Sequence, residues 1–192
     1  MDNIISDIAK HIQFRLVDIS DAEFILSLRI DPKKNRFISA VENDLEAQRL
    51  WLVDYKQREK NNEEYYFIIE SLDEEKLGTI RIYDLQDDSF CWGSWILKQD
   101  APAYAAIESA LSIYEIGLYQ LGFTQSHSDV RKGNQTVISF LTNFGAVITH
   151  EDDINYYFKM TDITYEQAKQ KYNRFLKPLH MNADADFNNS RH

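Results

Sequence analysis

The chain has 192 residues, 44% of them hydrophobic and 13% aromatic, and a formal net charge of −10. These values give one folded domain with a substantial core, and they exclude a disordered chain. The acidic balance and the lack of a Lys/Arg run argue against nucleic acid or an anionic membrane surface as partner, and the single cysteine, Cys91, excludes an internal disulfide and a cysteine-rich metal site.

Residues 1–11 suggest a short helix or a loose arm. Met1 to Ala9 carries acids and no continuous apolar segment, so it does not resemble a signal peptide, and nowhere is there an apolar run of membrane length. The expectation is a cytoplasmic protein in a reducing compartment. Gln13 to Val17 alternates polar and apolar residues as an edge strand does. Asp18 or Ser20 can cap a helix over 21–30, with Phe24, Ile25 and Leu28 on one face, and Asp31-Pro32 closes it. A loop through Phe37 and Ser39 follows. A second helix over 44–60 places Leu45, Gln48, Leu52 and Tyr55 on one stripe, with Trp51 beside it.

After Asn61-Asn62 the period becomes extended. Tyr65 to Glu70 and Leu77 to Tyr83 form an antiparallel hairpin about the acidic turn 72–75, and a second turn at 86–89 leads into a strand over 90–97. That strand runs through a turn of small residues into the clearest helix of the chain. Ile107, Ala110, Leu111, Tyr114, Leu118 and Leu121 make a single stripe, and Gly122 ends it. A strand–turn–helix of this kind leaves free N–H groups at the helix start, which suit a phosphate. Next come a strand over 123–130, a turn at 131–134 with Asn134 as N-cap, and a helix carrying Val137, Phe140, Leu141 and Phe144, stopped by Gly145. The strands 146–148 and 155–160 make a hairpin about an acidic turn, and a helix over 164–176 precedes a polar tail from Pro178. The connections make the strands antiparallel, except that the crossover through 104–121 sets its two flanking strands parallel.

In element order and motifs, residues 13–160 resemble the GCN5-related N-acetyltransferase family. Lys98-Gln99-Asp100-Ala101-Pro102-Ala103, followed by Tyr104-Ala105, stands where that family has its Gly-rich pyrophosphate loop. Val130 and Asn134, with Val137 and Gly145-Ala146 at the family spacing, form a second motif. Leu28-Arg29-Ile30-Asp31-Pro32, followed by Trp51, is similar to members that act on nucleotide-linked amino sugars. The resemblance implies the acyl-CoA N-acyltransferase fold: an α/β domain over 1–177, its mixed, mostly antiparallel sheet flanked by helices on both faces, plus an extra C-terminal helix. It implies acetyl-CoA as co-substrate and a small-molecule amine as acceptor. A nucleotide-linked amino sugar leads, and a protein N-terminus or a polyamine comes next. A non-catalytic acyl-CoA-binding module is the alternative from another class, and a homodimer is left open.

The chemistry needs a base for a protonated amine, a donor for the thioester oxygen, and partners for the phosphates of CoA. Asp129, beside Val130, occupies the place of a family glutamate, and His127 lies two residues earlier on the same strand face. These are the catalytic candidates. Trp95, Ile96, Leu97, Lys98, Ala101, Ala103, Tyr104, Ala105, Arg131 and Asn134 are the cofactor candidates, with Lys132 a further cation. Pro102 has no N–H to donate, so the loop offers fewer main-chain donors than a Gly-rich one. Cys91 stands where some relatives carry a glutamate and reads as packing. Leu141 stands where many carry a tyrosine acid, so either no dedicated acid is used or a tyrosine from elsewhere serves, with Tyr104, Tyr156 and Tyr157 the candidates. No metal site is expected.

Overall fold

A computed structural model describes residues 7–33, 37 and 41–178. The start of the N-terminal arm, most of the loop about Ser39, and the tail beyond Pro178 lie outside the described residues.

Seven strands form one sheet: β1 (Ile12–Leu16), β2 (Tyr65–Ser71), β3 (Lys76–Tyr83), β4 (Ser89–Leu97), β5 (Gln125–Arg131), β6 (Val147–Glu151) and β7 (Asn155–Thr161). Their order is β1-β2-β3-β4-β5-β7-β6, and every neighbouring pair is antiparallel except β4 and β5. The helices are α1 (Ala22–Arg29), α2 (Leu45–Lys60), α3 (Tyr104–Glu115), α4 (Gln135–Phe144) and α5 (Asp162–Lys171). The expected mixed sheet with a C-terminal helix is therefore present, each element lying within a few residues of its sequence reading.

Strand alternation sorts the side chains onto two faces. On one face Phe67, Ile80, Ile82, Phe90, Trp92 and Val130 join α3, α4 and α5 in the larger core. On the other, Tyr66 and Ile68 pack with Ile25 of α1 and with Leu52 and Tyr55 of α2. The expected stripe of α2 is the one buried there.

The caps follow local chemistry. Asp18 caps a 3-10 turn over Ile19–Asp21 that leads into α1, Asn134 caps α4 through a 3.4 Å bond from the Val137 amide, and Gly145 ends α4 with φ of 113°. Only glycine adopts that conformation without strain. α3 continues through a wider π turn over Ile116–Gln120. The expected last helix is shorter, ending at Lys171 before a 3-10 turn at Asn173–Phe175. Residues 8–10 are not a loose arm. Ile8 and Ala9 are buried, and the segment pairs with residues 175–177 through Lys10 N–H to Phe175 O (3.1 Å) and Lys177 N–H to Ile8 O (2.9 Å).

The position of α1 is fixed by a buried ion cluster. Arg15 of β1 reaches both Asp21 oxygens, at 2.7 and 2.8 Å, and Glu70 of β2 at 2.7 Å, while Lys76 of β3 meets Asp21 at 2.7 Å. Burial alone would push the Asp21 carboxyl up. The hydrogen bonds from Arg15, Lys76 and the Asp18 amide outweigh it and hold the carboxyl well below its usual range. A depressed carboxyl contributes stability above the pKa of the unfolded chain, about 4, and loses it as pH falls below that. Asp21→Asn should lower stability at pH 7 by about 2–3 kcal/mol in denaturant titration. That is under the ~3–5 kcal/mol of a fully buried pair, because Arg15 and Lys76 keep partial exposure. The deficit should shrink below about pH 4, as Asp21 of the unfolded wild-type chain takes up a proton that the folded chain does not bind.

Candidate active site

The site begins where β4 and β5 part. The two strands pair only at Ser89↔Gln125, Phe90↔Ser126 and Cys91↔His127, although β4 runs on to Leu97 and β5 to Arg131. Beyond Cys91 and His127 their facing edges open into a cleft of about 690 Å³. Its walls include Trp92 to Ile96 on one side and Ser128 to Arg131 on the other, with Asn134, Val137 and Leu141 of the α4 segment beneath.

A β-bulge shapes the β4 wall. Thr79 pairs with Ile96 but Arg81 pairs with Gly93, so Ser94 and Trp95 together oppose Ile80. Ser94 has φ of 46°, and its carbonyl accepts from the Thr79 hydroxyl at 3.0 Å. The extra residue breaks the ladder to β3 at Ser94 and Trp95, both of which line the cleft. Trp95 is held from below: its indole N–H donates to Ser109 Oγ of α3 at 3.1 Å, and its ring lies 4.9 Å from that of Phe140.

The loop from β4 to α3 presents an uncapped helix start. No side chain caps α3 at Ala103, and its first turn carries no acid. Its first N–H groups have no side-chain acceptor, as an anion site requires, although Ala105 N–H already donates to Pro102 O at 2.9 Å. Trp95, Ile96, Arg131 and Asn134 line the cleft, whereas Leu97, Lys98, Ala101, Ala103, Tyr104 and Ala105 adjoin it on the loop and helix start. Ala101 N–H is used within the loop by Lys98 O, Ala105 is fully buried, and the Tyr104 ring lies tilted against that of His11, 4.6 Å away.

The cations sort differently from expectation. Lys98 is committed to Glu75, with Asp100 at 3.6 Å, and Lys132 pairs with Glu151 at 3.3 Å. Arg131 lines the cleft and makes no ion pair among the described residues. Asn134 is both a helix cap and a lining residue.

Across the sheet, on the face of α1 and α2, Asp129 lines the cleft and His127 does not. The His127 ring is held at the closed end of the split, Nδ1 at 2.9 Å from Ser89 Oγ and Nε2 at 3.0 Å from Asp84. The strand face that joins these residues in sequence is therefore divided by the last β4–β5 pair. Tyr83 stands beside Asp129 and was not singled out by sequence. It pairs in register with Cys91, which alternation could have used to find it. A Cβ built on Gly93 would lie 2.8 Å from the Tyr83 hydroxyl, so glycine keeps that hydroxyl at the cleft floor. Burial pushes the Tyr83 phenol above its usual range, and the neighbouring Cys91 and Asp129 add to this. None of Tyr104, Tyr156 and Tyr157 lines the cleft: Tyr156 lies under Lys132, and the Tyr157 hydroxyl donates to Asp152 at 2.8 Å. Leu141 is buried at the cleft base.

Arg29 and Lys33, from the end of α1 and the segment after it, complete this side. Arg29 belongs to the Leu28–Pro32 sequence motif, whose spacing alone does not mark it as a site residue. Lys33 Nζ reaches Gln99 Oε1 of the β4–α3 loop at 3.4 Å, tying the two sides together. Among the described residues no cluster of three or more metal-ligating side chains occurs.

The family model described as "Acetyltransferase (GNAT) domain" matches residues 11–147. A solved structure described as apo FdhC, a nucleotide-linked sugar GNAT, is 47% identical. It covers 88% of this chain and 97% of its own, with a TM-score of 0.81. Mycobacterium smegmatis RimJ in complex with CoA-disulfide matches with a TM-score of 0.74 at 12% identity, covering 88% and 95%. A Vibrio cholerae spermidine N-acetyltransferase matches with 0.67 at 13% identity, covering 81% and 96%. These last two show the shared fold. No curated protein matches the chain.

Burial pushes the Cys91 thiol up to about 11, against a small lowering by the Tyr83 hydroxyl, so little thiolate exists near neutrality. Cys91 should react slowly with iodoacetamide at pH 8, and Cys91→Ala should keep turnover close to wild type. Loss of turnover with an acetylated Cys91 in quenched reactions would assign it a covalent role instead.

Proposed function

The chain belongs to the GNAT acetyltransferase family, and we propose that it transfers an acetyl group from acetyl-CoA to the primary amine of a nucleotide-linked sugar by direct attack. The observation that carries the acceptor class is the presence of Arg29 and Lys33 on the acceptor side of the cleft, in a chain whose net charge is −10. Cations gathered there favour a substrate bearing phosphates and oppose a polycationic amine. The 47% identical nucleotide-linked sugar GNAT supports the same class.

The cleft suits acetyl-CoA on three counts: open strand edges for the amides of its pantetheine arm, an uncapped α3 start for its pyrophosphate, and Arg131 for a further phosphate. Bound there, the cofactor supplies an activated acetyl group and a thiolate leaving group whose pKa, about 8.5 for a simple thiol, makes departure easy. Main-chain N–H groups of the bulge at Ser94 and Trp95 meet the thioester oxygen as it gains charge. Asp129 draws the protonated amine into the cleft and takes up its proton, directly or through water. The Tyr83 hydroxyl, kept neutral by burial, orients the amine from the opposite wall. Leu141 offers no proton, so the thiolate leaves without a dedicated acid.

Thiol release from acetyl-CoA tests this with a panel of nucleotide-linked amino sugars, free amino sugars and spermidine. The expected order puts a nucleotide-linked sugar first by a wide margin in kcat/KM, and spermidine turned over equally well would contradict it. Asp129→Asn should lower kcat by about 10²-fold or more while leaving affinity for CoA nearly unchanged. An unchanged kcat would remove Asp129 as the proton acceptor.

A further inference from the structure

Between α1 and α2 lies a second pocket, of about 320 Å³, that meets the main cleft at Arg29, a residue lining both. This volume falls within the range of about 300–1,000 Å³ usual for small-molecule sites. Leu26 of α1 and Trp51 of α2 give it an apolar and aromatic wall. Gln48, one turn before Trp51, also lines it. Gln48 is only 8% exposed, and its side-chain amide, bonded to no described residue, keeps its contact with solvent through the open pocket. The other buried polar group on this stripe is fully used: the Tyr55 hydroxyl bonds Glu59 and accepts from the Tyr66 amide at 2.7 Å. The Gln48 amide therefore offers an open donor and acceptor to whatever occupies the pocket.

We propose that this pocket binds the nucleobase of the acceptor, with its diphosphate lying over Arg29 and Lys33 and its amino sugar reaching Asp129. The proposal rests on the nucleotide-sugar reading given above. Charge sorts the two halves of such a ligand. Glu42 and Asp44 line the pocket and disfavour a phosphate there, whereas Arg29 and Lys33 favour one at the cleft. A neutral planar ring with apolar faces and a polar edge suits what remains. The glutamine amide carries a donor and an acceptor side by side, which match adjacent acceptor and donor groups on a base edge. Base recognition then fixes the far end of the substrate, and the cations set the distance to the reacting amine.

Calorimetry tests this on the full chain saturated with CoA, so that only the acceptor side is open. The probes are thymidine, uridine and adenosine diphosphates, with inorganic pyrophosphate as reference. At least one nucleoside diphosphate should bind about tenfold or more tighter than pyrophosphate. Gln48→Leu should remove that margin and leave pyrophosphate and CoA binding in place. Ala47→Leu, which narrows the pocket from an exposed helix position, should reduce the margin in the same way and serves if Gln48→Leu fails to fold. Nucleoside diphosphates that bind no tighter than pyrophosphate, or a margin kept in both variants, would overturn the proposal. The transferase reading fails separately: a nucleotide margin without thiol release from acetyl-CoA for any amine would refute transfer while upholding the base pocket. Transfer to a nucleotide-linked amino sugar with the same KM in Gln48→Leu would refute the pocket while upholding transfer.

Discussion

The parting of β4 from β5 is the constraint on which the molecule's chemistry depends. A parallel pair that stayed in register would satisfy its own backbone and leave no room between the strands. Here three pairs close the split at Cys91 and His127, and the remaining residues of both strands present open edges to one cleft. The bulge at Ser94 reinforces this, since its positive φ turns β4 out of its ladder with β3 as well. Unpaired backbone at the centre of a sheet is costly unless a ligand or water satisfies it. The cleft is therefore a place where stability is given up for binding, and the two large aromatic clusters beneath and beside it keep the sheet rigid around the gap.

The split joins two faces that are otherwise separate. Below it, α3 and α4 bring the uncapped helix start, Asn134 and the Trp95–Phe140 contact to the cofactor side. Above it, the ends of β3 and β5 bring Tyr83 and Asp129, and α1 brings Arg29 to the acceptor side. The Arg15–Asp21–Lys76 cluster sets α1 against three strands at once, so the acceptor side is held to the sheet by charge as much as by packing. Attack through the sheet needs only that both substrates reach the same gap from opposite faces, a positioning effect that relieves the residues of doing covalent chemistry.

Almost all of the fold was legible in the sequence because its signals are local. The stripe of α3, the caps at Asp18 and Asn134 and the stop at Gly145 each act over one or two turns, and the turns at 72–75 and 86–89 fix an antiparallel run. What sequence could not reach depends on pairing and tertiary contact. His127 and Asp129 share a strand face, and only the register of β4 with β5 reveals that the last pair separates them. Lys98 reads as a phosphate cation until β3 brings the preceding turn, with Glu75, against it. Tyr83 reads as the end of a strand, and Gln48 reads as one more position on a stripe. Their meaning comes from the cleft and the pocket they line.

The proposed chemistry requires CoA to lie in the split with its pyrophosphate at the start of α3. Backbone amide hydrogen exchange, compared with and without saturating CoA, reads this directly and without turnover. Exchange should slow over Trp92–Ile96 and over Ala103 to the first turn of α3, with β6 at the far edge of the sheet unchanged. Protection confined to β6, to the α1–α2 side alone, or absent altogether under demonstrated CoA binding would contradict it.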